Sequence, residues 1–139
     1  MMIKPFLALL FLVLSGSNLD SYHITLPTGL EINAEVAKDK QKGLQGRESL
    51  CAECGMIFIF EGEGFYGFWM KDTLIRLAII WVNSDGKIVY IVRNAKPCLS
   101  DQCEVFVPTS PAKYVLEVNP EAATGLEPGM RVKSRPPIF

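Results

Sequence analysis

Two apolar runs, Leu77 to Val82 and Lys87 to Arg93, flank the tetrapeptide Asn83-Ser84-Asp85-Gly86. Asp-Gly supplies the left-handed backbone that a tight reversal needs, so the segment reads as a β-hairpin. The same grammar recurs along the chain. Tyr22, Ile24 and Leu26 alternate with polar residues, Pro27-Thr28-Gly29 turns the chain, and Leu30, Ile32, Ala34 and Val36 alternate again. That pattern is a second hairpin with one buried face. Gly55 to Phe60 reads as a buried strand, Glu61-Gly62-Glu63-Gly64 as a turn, and Phe65 to Met70 as a further strand. Val105 to Val107 and Lys113 to Val118 follow, separated by Pro108 and Pro111, which cannot donate to a sheet ladder. Pro128-Gly129 prescribes a turn before a last strand, Met130 to Lys133.

Helical signals are brief. The period-two pattern lapses from Lys38 to Gln45, where good helix formers dominate before Gly46. Asn119-Pro120 resembles an N-cap followed by proline at the first helical position, with Gly125 as the stop. Many short strands at close spacing with one or two short helices imply an all-β fold, an antiparallel sandwich or barrel. With 139 residues the chain is long enough for one domain with a real core.

The N-terminus reads as an address. Lys4 gives a positive start, Phe6 to Leu14 is an apolar run, and Ser15-Gly16-Ser17 supplies small residues for cleavage before Asn18. Nine apolar residues reach only about 14 Å as a helix, against a hydrocarbon core of about 30 Å. The expected organisation is therefore a signal peptide over 1–17, a β domain over 18–133 and a loose tail over 134–139. The mature protein would be periplasmic or extracellular and would meet the membrane only through its signal peptide.

Export bears on the four cysteines, which stand in two close pairs, Cys51 with Cys54 and Cys98 with Cys103. In an oxidising compartment they should form disulfides. Three connectivities are possible; local pairing is favoured because each pair flanks a turn, and crossed pairing is the alternative. Zinc is the competing reading for two thiolate pairs, and a redox role for Cys51-Cys54 is weakened by the strand that follows where a thioredoxin motif opens a helix.

The chemical inventory excludes more than it offers. The net charge of -1 gives no basic excess for a nucleic-acid backbone. The one histidine, His23, lies in an alternating strand and reads as solvent-facing. No serine elbow, paired histidines or phosphate-cradling glycine loop is present. Met56, Met70 and Met130 are soft thioethers, but two of them lie in apolar strands and read as core. No cofactor and no metal is expected.

Three segments carry a resemblance: Gly43-Leu44-Gln45-Gly46-Arg47, the stretch Gly55 to Thr73 ending in Phe68-Trp69-Met70-Lys71-Asp72-Thr73, and Tyr114-Val115-Leu116-Glu117. Over roughly Ile32 to Val132 the chain resembles the domain-of-unknown-function 192 family, which has no agreed activity. The resemblance implies a jelly-roll-like sandwich. It also brings departures: Asp72 stands in place of asparagine, Gln45 in place of methionine, Ala78 in place of aspartate, and Pro120-Glu121 in place of alanine-glycine.

Arg47, Trp69, Lys71, Asp72, Thr73 and Glu117 are the candidate ligand-binding residues. One reading makes Trp69 core and pairs Arg47 with Glu117, fixing the short helix to the sheet. The other makes them a pocket floor, with Trp69 stacking on a sugar or another flat ligand while Arg47 and Lys71 anchor its polar groups. The function expected is non-catalytic binding of a small ligand, glycan or envelope partner. The alternative is a hydrolase or lyase that uses Asp72 or Glu117 as acid or base, with Lys71 or Arg47 stabilising negative charge.

Overall fold

The computed structural model describes residues 19–139, so the expected signal peptide and its cleavage point lie outside the described residues. Among the described residues nine strands form: β1 Ser21–Thr25, β2 Glu31–Val36, β3 Cys54–Gly64, β4 Phe68–Trp69, β5 Leu77–Val82, β6 Ile88–Ala95, β7 Val105–Phe106, β8 Ala112–Val118 and β9 Lys133–Arg135. Seven of them make one sheet in the order β6-β5-β8-β3-β2-β1-β9, and β4 pairs with β7 as a separate ribbon. The fold is nearly all β and sandwich-like, with no closed barrel. Pairing is antiparallel except between β2 and β3, which run parallel with Asn33 opposite Cys54 and Val36 opposite Ile57. A wholly antiparallel sheet is thus corrected to a mixed one. The reason is the long connection from Ala37 to Glu53, which carries the chain back to the starting end of the sheet.

Alternation along the central strands builds two cores from one sheet. Ile57, Ile80, Leu116 and Val118 point to one face, where Ile24, Ile32, Leu126 and Val132 join them. Met56, Phe58, Ile79, Trp81 and Val115 point to the other, where Leu44, Phe68 and Met70 close over them. Strand β5 is buried at every position, which is why its sequence is an unbroken apolar run. Trp81 is fully buried, and its indole Nε1–H donates to the Tyr66 carbonyl at 2.9 Å, so its one polar group is satisfied. Phe68 of the ribbon meets Phe58 edge-on at 4.8 Å and Trp81 at 5.7 Å, anchoring the β4–β7 ribbon to the second face.

Both expected hairpins form. Thr25 pairs with Glu31 across the first turn, and Asn83 N–H donates to the Lys87 carbonyl across the second, with Gly86 at φ +81°. Asn83 also accepts from the Asp85 and Lys87 amides through Oδ1, a side-chain turn that pre-shapes the reversal. The expected turn at Glu61–Gly64 does not form: β3 runs on to Gly64, which pairs with Ala112. Glu63 at its tip accepts from the Ser84 amide and hydroxyl in the β5–β6 turn, and these hydrogen bonds hold its carboxyl below the usual range. Long-range pairing here outweighs the turn preference of two glycines.

Of the expected helices, residues Lys38 to Gln45 form successive turns, and Pro120–Ala123 forms a single 3-10 turn. Asp39 Oδ1 accepts from the Gln41 and Lys42 amides, a start that the glycine at φ +49°, Gly43, stops from growing into a helix. Asn119 makes no side-chain cap; its Nδ2 donates instead to the Leu50 and Cys51 carbonyls. The chain end is also tied down. Beyond β9, Tyr114 donates its hydroxyl to the Ile138 carbonyl at 2.6 Å, and Phe139 meets the Tyr114 ring edge-on at 4.9 Å. The tail expected to be loose is docked because its last two residues are apolar and cover a core edge.

Candidate functional site

The cysteines pair locally, Cys51 with Cys54 and Cys98 with Cys103, at Cα separations of 5.0 and 5.9 Å. The second disulfide loop organises the signature turn. Thr73 N–H donates to the Met70 carbonyl, closing a tight turn, while Asp72 N–H donates to Cys98 and Cys98 N–H donates to Met70. Lys71 reaches into the same loop, its Nζ 2.8 Å from the Ser100 carbonyl and 3.2 Å from Asp101 Oδ1. Its ammonium is committed to holding the loop. Asp72 adopts φ +53°, the one left-handed non-glycine position among the described residues. Asparagine and aspartate are the side chains that tolerate this conformation best, so the position is selected by its backbone. Thr73 is buried, and its hydroxyl donates to the Lys71 carbonyl at 3.3 Å.

Trp69 and Trp81 have opposite fates. Trp69 is 46% exposed and Trp81 fully buried, so the reading of Trp69 as core is corrected. The cause is period two: Phe68 and Met70 point inward, which turns Trp69 outward. Trp69 stands opposite Val105 across the ribbon. Together with Gly67 and Gln41 these residues line an open groove of about 400 Å³. Gly67 belongs there for steric reasons, since a Cβ at that position would lie 2.8 Å from Val105 Cγ1.

Arg47 does not pair with Glu117. Its guanidinium forks onto the Glu35 carboxylate of β2, Nη1 lying 3.4 Å from Oε2 and Nη2 closer to Oε1. The pair sits at a half-exposed rim and is worth little to stability. Around it opens a cleft of about 820 Å³ lined by Glu35, Lys38, Asp39, Lys42, Gly43 and Met56, among others. The turn segment from Lys38 to Gly46 divides this cleft from the Trp69 groove, Gln41 facing one and Lys42 the other.

Glu117 is the chemically unusual residue. It faces the second core between Met56 of β3 and Ile79 of β5, its cross-strand partners. Only 4% of it is exposed, and among the described residues Oε2 has no hydrogen-bond partner. Burial pushes its carboxyl up to about 8, so the group is largely protonated at neutral pH. Ala78, which replaces the aspartate implied by the resemblance, packs in the opposite core, so an acid there would not join Glu117. His23 is exposed on β1.

The six candidate residues therefore separate into four places: Trp69 in the ribbon groove, Lys71, Asp72 and Thr73 in the disulfide-clamped turn, Arg47 at the rim of the cleft, and Glu117 inside the second core. Sequence reasoning missed Gln41, Val105, Glu35 and Gly43. The strict alternation of Phe68-Trp69-Met70 was the signal that could have turned Trp69 outward. Among the described residues, no cluster of three or more His, Cys, Asp or Glu could hold a metal, and no helix is long and apolar enough to cross a membrane.

A family model described as an uncharacterized ACR, DUF192, matches residues 23–134. Two solved structures are similar. One, from Sinorhizobium meliloti and provisionally named a transcription regulator, is 29% identical over 83% of this chain and 92% of its own, with a TM-score of 0.69. The other, a protein of unknown function from Novosphingobium aromaticivorans, is 32% identical over 81% of this chain and 83% of its own, with a TM-score of 0.68. No curated protein matches.

Proposed function

Because the chain belongs to the uncharacterised DUF192 family, whose description names no activity, we propose from its own geometry that it is an exported, non-catalytic module that binds glycans at the Trp69 groove. One observation carries this reading: a large aromatic ring is held 46% exposed on a ribbon whose other face is anchored in the core. Exposing an indole forfeits the burial that a tryptophan side chain normally gains. The flat ring suits the apolar face of a sugar, and the Gln41 amide beside it can donate and accept with hydroxyls. A rigid platform also lowers the ordering cost of binding.

Export is supported by the leader-like N-terminus and by two local disulfides, which persist in oxidising compartments. Binding is preferred over acid-base catalysis because Asp72 is accounted for by its turn, and Lys71 is spent on the disulfide loop. A regulator's role on nucleic acid finds no support in a net charge of -1.

The test is calorimetric titration of the protein without its leader against soluble oligosaccharides from bacterial envelopes and plant and chitin polymers. At least one should bind, and Trp69→Ala should remove that binding while melting within a degree or two of the parent. A panel without a binder, or binding that survives Trp69→Ala, rejects the reading.

A further inference from the structure

The β4–β7 ribbon is too short to hold itself. Each strand has two residues, with Phe68 opposite Phe106 and Trp69 opposite Val105. Phe68 and Phe106 pack on the second core, whereas Trp69 and Val105, which line the groove, are 46% and 54% exposed. Burial therefore fixes the underside of the ribbon and leaves its outer side to other ties. The Cys98–Cys103 loop supplies them. Cys98 lies beside Lys71, its amide donating to the Met70 carbonyl at 3.2 Å and its carbonyl accepting from the Asp72 amide at 2.9 Å. Cys103 is two residues before Val105. The disulfide thus joins the segment leaving Trp69 to the segment entering Val105. Residues 99–102 between the cysteines are exposed, Leu99 at 68%, so no apolar anchor replaces the link if it opens. The remaining ties end at Asp101: the two Cys98 backbone bonds, and the Lys71 ammonium on the Ser100 carbonyl and the Asp101 carboxylate. The other disulfide, Cys51–Cys54, stands at the start of β3 and shares no residue with the groove or this turn.

A groove that its ligand must first order binds more weakly than one ordered in advance. We propose that oxidation switches the Trp69 groove on: with Cys98 and Cys103 as thiols the domain is folded but its groove is slack, and closing the disulfide sets the groove for binding. The inference rests on the glycan reading for its ligand, while the ordering of the ribbon is independent of that reading. Closure takes two thiol–disulfide exchanges with an external disulfide. The thiolate of one cysteine attacks that disulfide, forming a mixed disulfide and releasing one thiol. The thiolate of the other cysteine then attacks the sulfur of the first, closing the S–S bond and releasing the second thiol. Two cysteine thiols are oxidised to one disulfide, the external disulfide is reduced to two thiols, and the two cysteine protons end on them. Both cysteines are partly exposed, so the reagent reaches them. In an exported protein such a switch withholds binding until the chain meets an oxidising compartment.

The test compares the oxidised protein with protein reduced by dithiothreitol, thiols being counted by alkylation and mass. Cys51→Ser with Cys54→Ser, which keeps Cys98–Cys103 as its one disulfide, is read in parallel with the parent. The first readout needs no ligand. On reduction, amide exchange from Phe68 to Thr73 and from Val105 to Val107 should quicken by about tenfold or more, while β5 and β8 keep their protection. The second readout is calorimetric titration with an oligosaccharide that the oxidised protein binds. Its affinity should fall by about tenfold or more on reduction and return when oxidised glutathione closes the bond. Cys98→Ser with Cys103→Ser should bind as weakly as the reduced parent, with or without dithiothreitol. Ribbon exchange that reduction leaves unchanged, or an affinity kept within about twofold, overturns the proposal. A panel in which no oligosaccharide binds the oxidised protein rejects the glycan reading instead, and the exchange readout then decides the switch by itself.

Discussion

The two faces of the central sheet are built from the same three strands and have little else in common. On β8, Leu116 and Val118 enter a mostly aliphatic core, closed by the 3-10 turn and the docked residues Ile138 and Phe139, while Glu117 between them enters the other. That second face is covered by irregular pieces: the turn segment from Lys38 to Gly46, the β4–β7 ribbon and the Cys98–Cys103 loop. The exposed indole, the left-handed Asp72 and the unpartnered acid all lie there. Both faces carry a packed core, and the exceptions gather on the one covered by irregular pieces, as expected where loops on a rigid scaffold hold function.

The largest expected effect contrasts the two tryptophans. Trp81→Ala should cost about 3 to 5 kcal/mol, enough to unfold much of a domain whose stability is about 5 to 15 kcal/mol. Trp69→Ala should cost under about 1 kcal/mol. Urea denaturation of both variants checks this, and comparable losses would make the ribbon part of the core.

Glu117 should make stability depend on pH. The unfolded carboxyl ionises near 4.5 and the folded one near 8, so between those values the folded state holds a proton that the unfolded state has released. Stability contributed by the protonated group is full below about pH 4.5 and declines as pH rises, until it is lost above about pH 8. Glu117→Gln, which mimics the protonated form, should remove that decline and exceed the parent at pH 8 by on the order of 4 kcal/mol. A parent whose melting point is flat from pH 5 to pH 8 would show that water or a counter-charge reaches the carboxyl.

The disulfides come next. Each closes a very short loop, with separations of 3 and 5 residues, so chain-entropy reasoning gives about 2 kcal/mol apiece. Replacing Cys98 and Cys103 by serine should lower stability by that amount and loosen the turn bearing Lys71 and Asp72, seen as faster amide exchange from Met70 to Thr73. Replacing Cys51 and Cys54 should leave that turn untouched. Arg47→Lys should have the smallest effect, within about 0.5 kcal/mol, because the pair with Glu35 is solvent-exposed at its rim. A larger loss would restore Arg47 to a structural role.

What was legible in the chain was local. Asn83 to Gly86 and Pro27 to Gly29 form turns through their own side chains and backbone preferences, and both hairpins stand. Local cysteine pairing needed only the chain's own turns. The parallel β2–β3 pair was hidden, because no residue within either strand encodes a partner reached across a long connection. Glu63 was misleading for the same reason: its partner Ser84 lies 21 residues away and holds β3 extended where the glycines suggested a turn. At the site, the residues around Trp69-Met70-Lys71-Asp72-Thr73 stand out in the sequence, but where the fold places each of them was not legible. Asp101, which holds Lys71, is 30 residues distant, and Glu35, which holds Arg47, is 12. Trp69 could have been read outward from Phe68 and Met70, just as the unbroken run around Trp81 marks a strand covered on both sides.

The direct test of the account is the pair of indole N–H resonances in a nitrogen-correlated spectrum, recorded while a binding oligosaccharide is added. Trp81 donates its N–H to the Tyr66 carbonyl inside the core and serves as the internal reference. The account predicts that the Trp69 signal moves saturably with glycan while the Trp81 signal stays fixed. A bound glycan that leaves the Trp69 signal in place, or that moves only the Trp81 signal, would contradict the claim that the exposed indole is the binding platform.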